Sequence, residues 1–399
     1  MSLGHFLPAL AAFLMLVAAP RAQPVPDPVK IGILGDFGSP ADARGGGPVV
    51  AARMAVADFG SAAAGHPVVI LAGDHLGRVE LATAIARQWF DQDGIAAIVV
   101  VASPAVAQAL ESLAGERGRI LIASGPVSPD FTGRSCSPTA IAWTGDAYAA
   151  AAAAARALAG ADSRDWLLVR GDTALDAAVA DAAGSAVTAA GARLLDPALP
   201  ALSGADPATR LRSPAATVAG LALSGTELDR SVEAWSRSGD PDHARRLVGL
   251  IARRVDIERI GLAAARGMVV PAAFYWDAGP AERSWSARFA ALAKRPPGVA
   301  EAGVYSAVLH YLQAVAVARR EDAAAVLAEM RDLPVEDAIT SGGHVRPDGS
   351  VQRDIGVFAV KAPEQSAAPH DVYRMIATVP GRDAFRPLAD SPCPLLPKR

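Results

Sequence analysis

The sequence predicts an α/β protein built from two doubly wound, Rossmann-like domains in tandem. Three observations carry this. Short β-branched apolar runs alternate with longer amphipathic or Ala-rich stretches from Val29 onward. A Gly/Pro/Ser-rich interruption at 126–138 is followed by a restart of the same alternation. The chain has 399 residues, 51% of them hydrophobic, enough for two cores.

The elements follow in order. "VKIGILG" (29–35) reads as a strand and "PVVAARMAVADFG" (48–60) as the helix after it. "PVVILAGD" (67–74) precedes a helix at 80–92, and "IAAIVVVAS" (95–103) precedes one at 104–116; "RILIASG" (119–125) is the fourth strand. All four runs are apolar on both faces, as in a parallel sheet covered by helices. After the interruption come a helix at 146–160, strand "DWLLVRGD" (165–172) and a helix at 174–191. Strand "ATVAGLALS" (216–224), a helix at 227–239 and strand "RRLVGLIA" (245–252) follow. "GMVVPAAFYW" (267–276) holds Pro271, which predicts an edge, a bend or a crossover. Helices are expected around 280–294, 301–320 and 321–332, then short strands at 355–360 and 372–378.

The N-terminus carries an apolar run from Phe6 to Ala19, too short to span a bilayer comfortably but suited to a signal-peptide core. Small residues and "PRAQ" follow, giving a signal peptide over 1–22 and export. A buried helix is the alternative, against which Pro8, Pro20, Pro24, Pro26 and Pro28 argue. In an exported chain the single pair Cys136 and Cys393 predicts one disulfide; two free buried thiols are the alternative.

Composition and motifs exclude several functions. A net charge of −3 and scattered arginines give no footprint for nucleic acid. The glycines of "IGILGDFGSPADARGGG" fall at Gly32, Gly35 and Gly38, which is not G-x-G-x-x-G, and Pro40 stands where a helix should begin. There is no phosphate-loop motif, no G-x-S-x-G, no H-E-x-x-H and no C-x-x-C. The seven histidines are dispersed, so neither a metal site nor a catalytic constellation is predicted, and no cofactor. His75 reads as a loop histidine with a local hydrogen bond; Trp89, Phe90, Tyr305 and Tyr311 read as core packing. Asp36, Asp74 and Asp172 follow strands at the carboxyl edge, where open α/β sheets bind ligands.

In order along the chain, "VKIGILGDFGSP", "VVAARMAVADFG", "ATAIARQWFDQDGIAAIV", "SPAVAQAL", "TGRSCSPTAIAWTGDAYA", "GMVVPAAFYWD", "AGVYSAVLHYLQAV" and "DAFRPLADSPCPL" resemble the type I periplasmic solute-binding proteins of ABC importers, of the leucine/isoleucine/valine-binding kind. The resemblance implies two lobes joined by three crossovers: 29–142 with 272–345, and 143–271 with 346–382. The 383–399 tail would be tied back by the disulfide. It implies a monomer in the periplasm that closes on a small polar solute, an amino acid or a related carboxylate or amide, and presents it to an inner-membrane permease. A periplasmic sensor presenting its bound state to a receptor is the alternative, which a pull-down of permease or receptor separates.

Mapped by the same resemblance, the first-lobe contacts are Asp36, Phe37, Gly38 and Ser39, then Ser103 and Ala105 at a helix start, then Ser124 and Gly125. The second lobe supplies Tyr148, Asp172, Thr173, Ser224, Glu227, Tyr275 and Trp276. Four positions depart from the pattern: Ala41 where an aromatic is expected, Thr173 for a tyrosine, Leu223 for a polar residue and Ala272 for an acid. An ammonium needs a carboxylate partner when desolvated, and Asp36, Asp172, Glu227 and Asp277 are the candidates.

Overall fold

The computed structural model describes residues 27–37, 46–160, 164–195, 211, 215–237 and 246–397. Two sheets dominate. The first contains β1 (Val29–Gly35), β2 (Ala62–Ala63), β3 (His66–Asp74), β4 (Ala97–Val101), β5 (Ile120–Ala123) and β6 (Ala140–Ala142), in the order β2-β3-β1-β4-β5-β6. The second contains β7 (Asp165–Arg170), β8 (Arg193–Leu194), β9 (Val218–Ala222), β10 (Arg246–Gly249), β11 (Val269–Ala272), β14 (Ile355–Val360) and β15 (Tyr373–Val379), in the order β15-β14-β11-β10-β9-β7-β8. A hairpin of β12 (His344–Val345) and β13 (Val351–Gln352) stands apart.

In each sheet the first strand lies between the second and third strands of its parallel run: β1 pairs with β3 and β4, and β7 pairs with β8 and β9. Each sheet therefore has a topological switch point, with a crevice outside the carboxyl ends of β1 and β4, or of β7 and β9. This doubly wound arrangement is the predicted fold class. The described helices are α1 (Gly46–Phe59), α2 (Val79–Gln88), α3 (Pro104–Arg117), α4 (Ala147–Ala157), α5 (Ala174–Ala189), α6 (Gly225–Arg237), α7 (Arg254–Ile260), α8 (Leu262–Ala265), α9 (Pro280–Ala293), α10 (Val299–Ala318), α11 (Ala323–Asp332) and α12 (Gly381–Ala384).

The chain passes between lobes where the core membership changes. Trp143 packs in the first core and Ala147 in the second, so the first crossover runs through 144–146. Val269 belongs to the second lobe, Phe274 and Trp285 to the first, which sets the second crossover after β11. Val345 and Val351 both pack in the first core and Ile355 in the second. The return therefore lies at 353–354, not at 345: residues 346–352, expected in the second lobe, stay with the first because β13 pairs back onto β12.

Other departures have physical reasons. β3 is not buried on both faces; its residues are half-exposed because only the short β2 flanks it on the outer side. β6 is three residues long and follows directly on the Gly/Pro/Ser-rich stretch, below the length that periodicity detects. The polar sequence 254–265 folds as α7 and α8, which the apolar pattern missed. Pro271 stands inside β11, paired with Val357 of the antiparallel β14, and marks the crossover among its three predicted readings.

Two glycines of the first sheet, Gly32 in β1 and Gly73 in β3, have a packing reason. A Cβ on Gly32 or Gly73 would strike the Trp89 ring within 3.0 Å, so the sheet is kept bare there to receive the indole. Trp89 and Phe90 are buried, as are Tyr305 and Tyr311. Tyr305 donates its hydroxyl to Asp58 at 2.8 Å. Cys136 and Cys393 form a disulfide, with Cα atoms 5.7 Å apart across 257 residues of chain.

Candidate functional site

Two places between the lobes invite a ligand. The first is the pair of switch-point rims, where the sequence pattern puts most of its candidates. The second is a cavity of about 550 Å³ at the hinge end, lined by all three crossovers and by the ends of β5, β6, β10 and β11.

At the first-lobe rim, Asp36, Ser103 and Ala105 are exposed. Ser103 is the N-cap of α3 in extended backbone, and its hydroxyl makes no capping bond. Phe37 is not a rim residue: it is 7% exposed and packs in the first core, its ring filling the space beside Gly35 that a Cβ would claim. Asp74 accepts the Leu76 N–H at 2.8 Å, which makes it a turn former. His75 is buried, with Nδ1 accepting the Gly77 N–H at 3.0 Å, the local role expected of it. Gly38, Ser39 and Ala41 lie outside the described residues.

At the second-lobe rim, Asp172, Thr173 and Ser224 are exposed. Thr173 caps α5 in a reciprocal box with Asp176, donating to it at 2.6 Å and accepting its N–H at 3.1 Å. Leu223, at a position expected to be polar, is fully buried in the core. Glu227 crowds Gly171 and the Asp176 carboxylate. Burial and then the charges of Asp176 and Asp172 raise its pKa above the ordinary carboxylate range. This rim is therefore acidic.

The hinge-end cavity is walled by aromatic and aliphatic side chains, among them Trp143, Phe274, Tyr275, Tyr373 and Phe385. Gly125 and Tyr275 are the predicted contacts that line it. Gly125 has φ +145, backbone open only to glycine, and a Cβ on Gly145 would strike its carbonyl. The Tyr275 hydroxyl donates to the His370 carbonyl at 3.2 Å and accepts the Val372 N–H at 3.1 Å. Desolvation pushes its pKa up to about 12, so it stays neutral, and the ring is what it offers. Trp276 donates to the same carbonyl at 3.0 Å.

Three other predicted contacts are committed elsewhere. Ser124 is fully buried and donates to the Ala300 carbonyl at 2.8 Å, holding α10 against the sheet. Tyr148 lies under the Arg386 guanidinium, 4.3 Å from its centroid, and lines a smaller cavity of about 250 Å³ beside the tail. Asp277 pairs with Arg283 at 3.2 Å.

Polar groups that the pattern missed complete the larger cavity. They are Thr144, Asp146, Arg253, Arg254, Glu258, Arg295, Glu301, Ser350, Arg353 and His370. Asp146 is the N-cap of α4, accepting the Ala149 N–H at 2.9 Å, and burial raises its pKa. Arg254 of the second lobe reaches the Pro296 carbonyl of the first at 3.5 Å and pairs with Glu258, so a polar contact already bridges the lobes here. Such residues are hard to find because they sit on crossovers and helix starts with no periodic signature. Among the described residues, no group of three His, Cys, Asp or Glu side chains is placed to hold a metal.

Comparison with known proteins agrees with this two-lobed geometry. A sequence profile described as periplasmic binding protein matches residues 28–367. A periplasmic binding protein from Burkholderia mallei is 30% identical, with a TM-score of 0.79 over 92% of this chain and 99% of that one. A branched-chain amino acid ABC transporter periplasmic ligand-binding protein from Burkholderia xenovorans LB400 is 26% identical, with a TM-score of 0.83 over 92% and 99%. A solute-binding protein of an ABC transporter from Rhodopseudomonas palustris BisB5, solved with 3,4-dihydroxybenzoic acid, shares the fold at 14% identity and a TM-score of 0.71, over 89% and 98%. A search of curated protein sequences finds no match. The chain belongs to the periplasmic binding protein family, and the neighbours from Burkholderia xenovorans and Rhodopseudomonas palustris are ligand- or solute-binding proteins of ABC transporters, not enzymes.

Proposed function

We propose that this member of the periplasmic binding protein family captures a small organic solute in the hinge-end cavity and delivers it, as a monomer, to an inner-membrane ABC permease. The observation that carries this reading is the cavity itself. Its wall is drawn from both lobes and from every crossover, so a solute seated there touches both lobes at once. Interactions that form only when the lobes approach are what shift a hinged protein toward its closed form. The volume of about 550 Å³ suits a molecule of amino-acid or aromatic-acid size.

Export supports the same reading. The apolar run 6–19 has the pattern of a leader peptide, and the Cys136–Cys393 bond fits an oxidising compartment. No described helix is long and apolar enough to cross a membrane.

The test is a thermal-shift screen of amino acids, amides, aliphatic and aromatic acids, followed by small-angle scattering with each hit. A genuine solute raises the melting temperature and reduces the radius of gyration. A chain that no compound stabilises or compacts would contradict the proposal.

A further inference from the structure

Three crossovers join the lobes through the chain itself, and the disulfide adds a connection of another kind. Val379, Ala384 and Phe385 pack in the core of the second lobe. α12 is also held there from outside, where Arg156 of α4 donates to the Asp383 carbonyl at 2.9 Å. Eight residues beyond Phe385, Cys393 is bonded to Cys136. Cys136 lies between Phe131 and Ala140, and both of these pack in the first lobe with Leu34, Ile98 and Leu121. The tail therefore starts in one lobe and ends, covalently, on the other.

The stretch between these anchors touches both sides. The Arg386 guanidinium lies 4.3 Å from the centroid of Tyr148 on α4. The Arg386 carbonyl accepts Nη2 of Arg346 at 2.8 Å. Arg346 stands in the first-lobe turn between β12 and β13, buried and paired with Asp348 at 3.0 Å. Further along, a Cβ on Gly133 of the first lobe would come within 3.2 Å of the Pro392 ring. The smaller cavity of about 250 Å³ lies among these parts, walled by Asp130 and Arg134 of the first lobe, Tyr148 and Ala182 of the second, and Arg386 and Pro392 of the tail.

A closed covalent circuit results. It runs from Ala147 back through the first crossover to Cys136, across the disulfide to Cys393, and along the tail to Phe385. Both of its second-lobe anchors, Ala147 and Phe385, pack in one core. Non-covalent contacts can part when a hinge opens, but this circuit can only straighten. Its tail arm has little to give. Leu388–Asp390 form one 3-10 turn between extended Pro387 and Ser391. A residue rises about 2.0 Å in such a turn and about 3.1–3.4 Å when extended, so straightening it adds only about 3–4 Å. Pro387, Pro392 and Pro394 stiffen the rest by fixing φ.

We propose that the tail from Phe385 to Cys393 is a fourth interlobe connection, a strap that limits how far the hinge opens on the side of the smaller cavity. A limit of this kind removes widely open forms from the unliganded ensemble. Less of a solute's binding energy then goes into bringing the lobes together, because the apparent affinity scales with the fraction of chains already able to close.

Small-angle scattering of the full mature chain without solute tests this. Three proteins are compared: the wild type, Cys136→Ser with Cys393→Ser, and a chain with Gly-Ser-Gly-Ser inserted between Ser391 and Pro392 and the disulfide intact. Both altered chains give a larger radius of gyration than the wild type, measured well below their melting transitions. The lengthened chain keeps the bond and so separates reach from stability; it decides the matter alone if the serine variant does not fold. A lengthened chain with the wild-type radius overturns the proposal whatever the serine variant does, since expansion on losing the bond alone marks the disulfide as a stabiliser of the fold and not a limit on the hinge. No solute enters the comparison, so its failure leaves the solute-binding reading of the larger cavity standing.

Discussion

The two ends of the interlobe cleft are built on different principles. The switch-point rims are loops at strand ends, exposed, acidic on the second lobe, and occupied with capping their own helices: Thr173 with Asp176 is the clearest case. The hinge end is a concave, half-open chamber, mostly apolar, whose arginines Arg253, Arg254 and Arg295 are paired with carboxylates. It is also covalently braced, because the tail that covers Tyr148 is fastened to the first lobe through Cys393 and Cys136. Strand-end position alone therefore does not identify a ligand contact. A concave wall drawn from both lobes and from every crossover does so more sharply, because one solute seated there can touch both lobes at once.

The brace gives the largest expected effect. Replacing both cysteines, Cys136→Ser with Cys393→Ser, opens a loop of 257 residues in the unfolded chain. The chain-entropy model puts the loss at about 5 kcal/mol at most, and about 2–4 kcal/mol is typical of such bonds. Denaturant unfolding measures it. If the brace matters chiefly to the hinge end, solute binding weakens in this variant while the cores of both lobes keep their native circular dichroism.

Filling the hinge chamber is the next most severe change. Ala272 lines it, and Ala272→Trp should reduce solute affinity at least 100-fold, equal to about 2.7 kcal/mol. The paired rim variant Ser103→Ala with Asp172→Asn should alter affinity less than about threefold, or roughly 0.6 kcal/mol. Titration calorimetry of the two variants side by side sharpens the contrast; a reversal of their order breaks it.

Smaller effects belong to the rim. Thr173→Ala removes the α5 capping box and should cost about 1 kcal/mol of stability with solute affinity unchanged. Smallest is Glu227→Gln. The folded-state pKa of Glu227 is raised by burial and by Asp176 and Asp172, so its contribution is fully present below the ordinary glutamate pKa and is lost as the pH rises through the folded value. The variant should therefore melt slightly above the wild type at pH 7 and match it near pH 4, as a pair of thermal scans will show.

Much of the fold is legible because parallel strands buried on both faces write themselves as unbroken apolar runs; β1, β4, β5 and β9 are examples. β6 is not, being only Ala-Ile-Ala, and neither are α7 and α8, whose polar faces hide a narrow apolar stripe around Ile257 and Ala265. The site is less legible still. Phe37 and Ser124 stand where ligand contacts are expected, but one is core and the other is spent on Ala300. The cavity-lining Arg353 leaves only a faint mark, one cation in "SVQRDIGVFAV". Its meaning depends on what surrounds it after folding, which a linear pattern does not record.

A crystal structure with the tightest-binding solute of the thermal-shift screen tests hinge-end capture most directly. The solute should sit among Trp143, Phe274 and Tyr275, in contact with both lobes. A solute seated instead between Ser103 and the Asp172–Ser224 rim, with the hinge chamber empty of it, would contradict the hinge-end site.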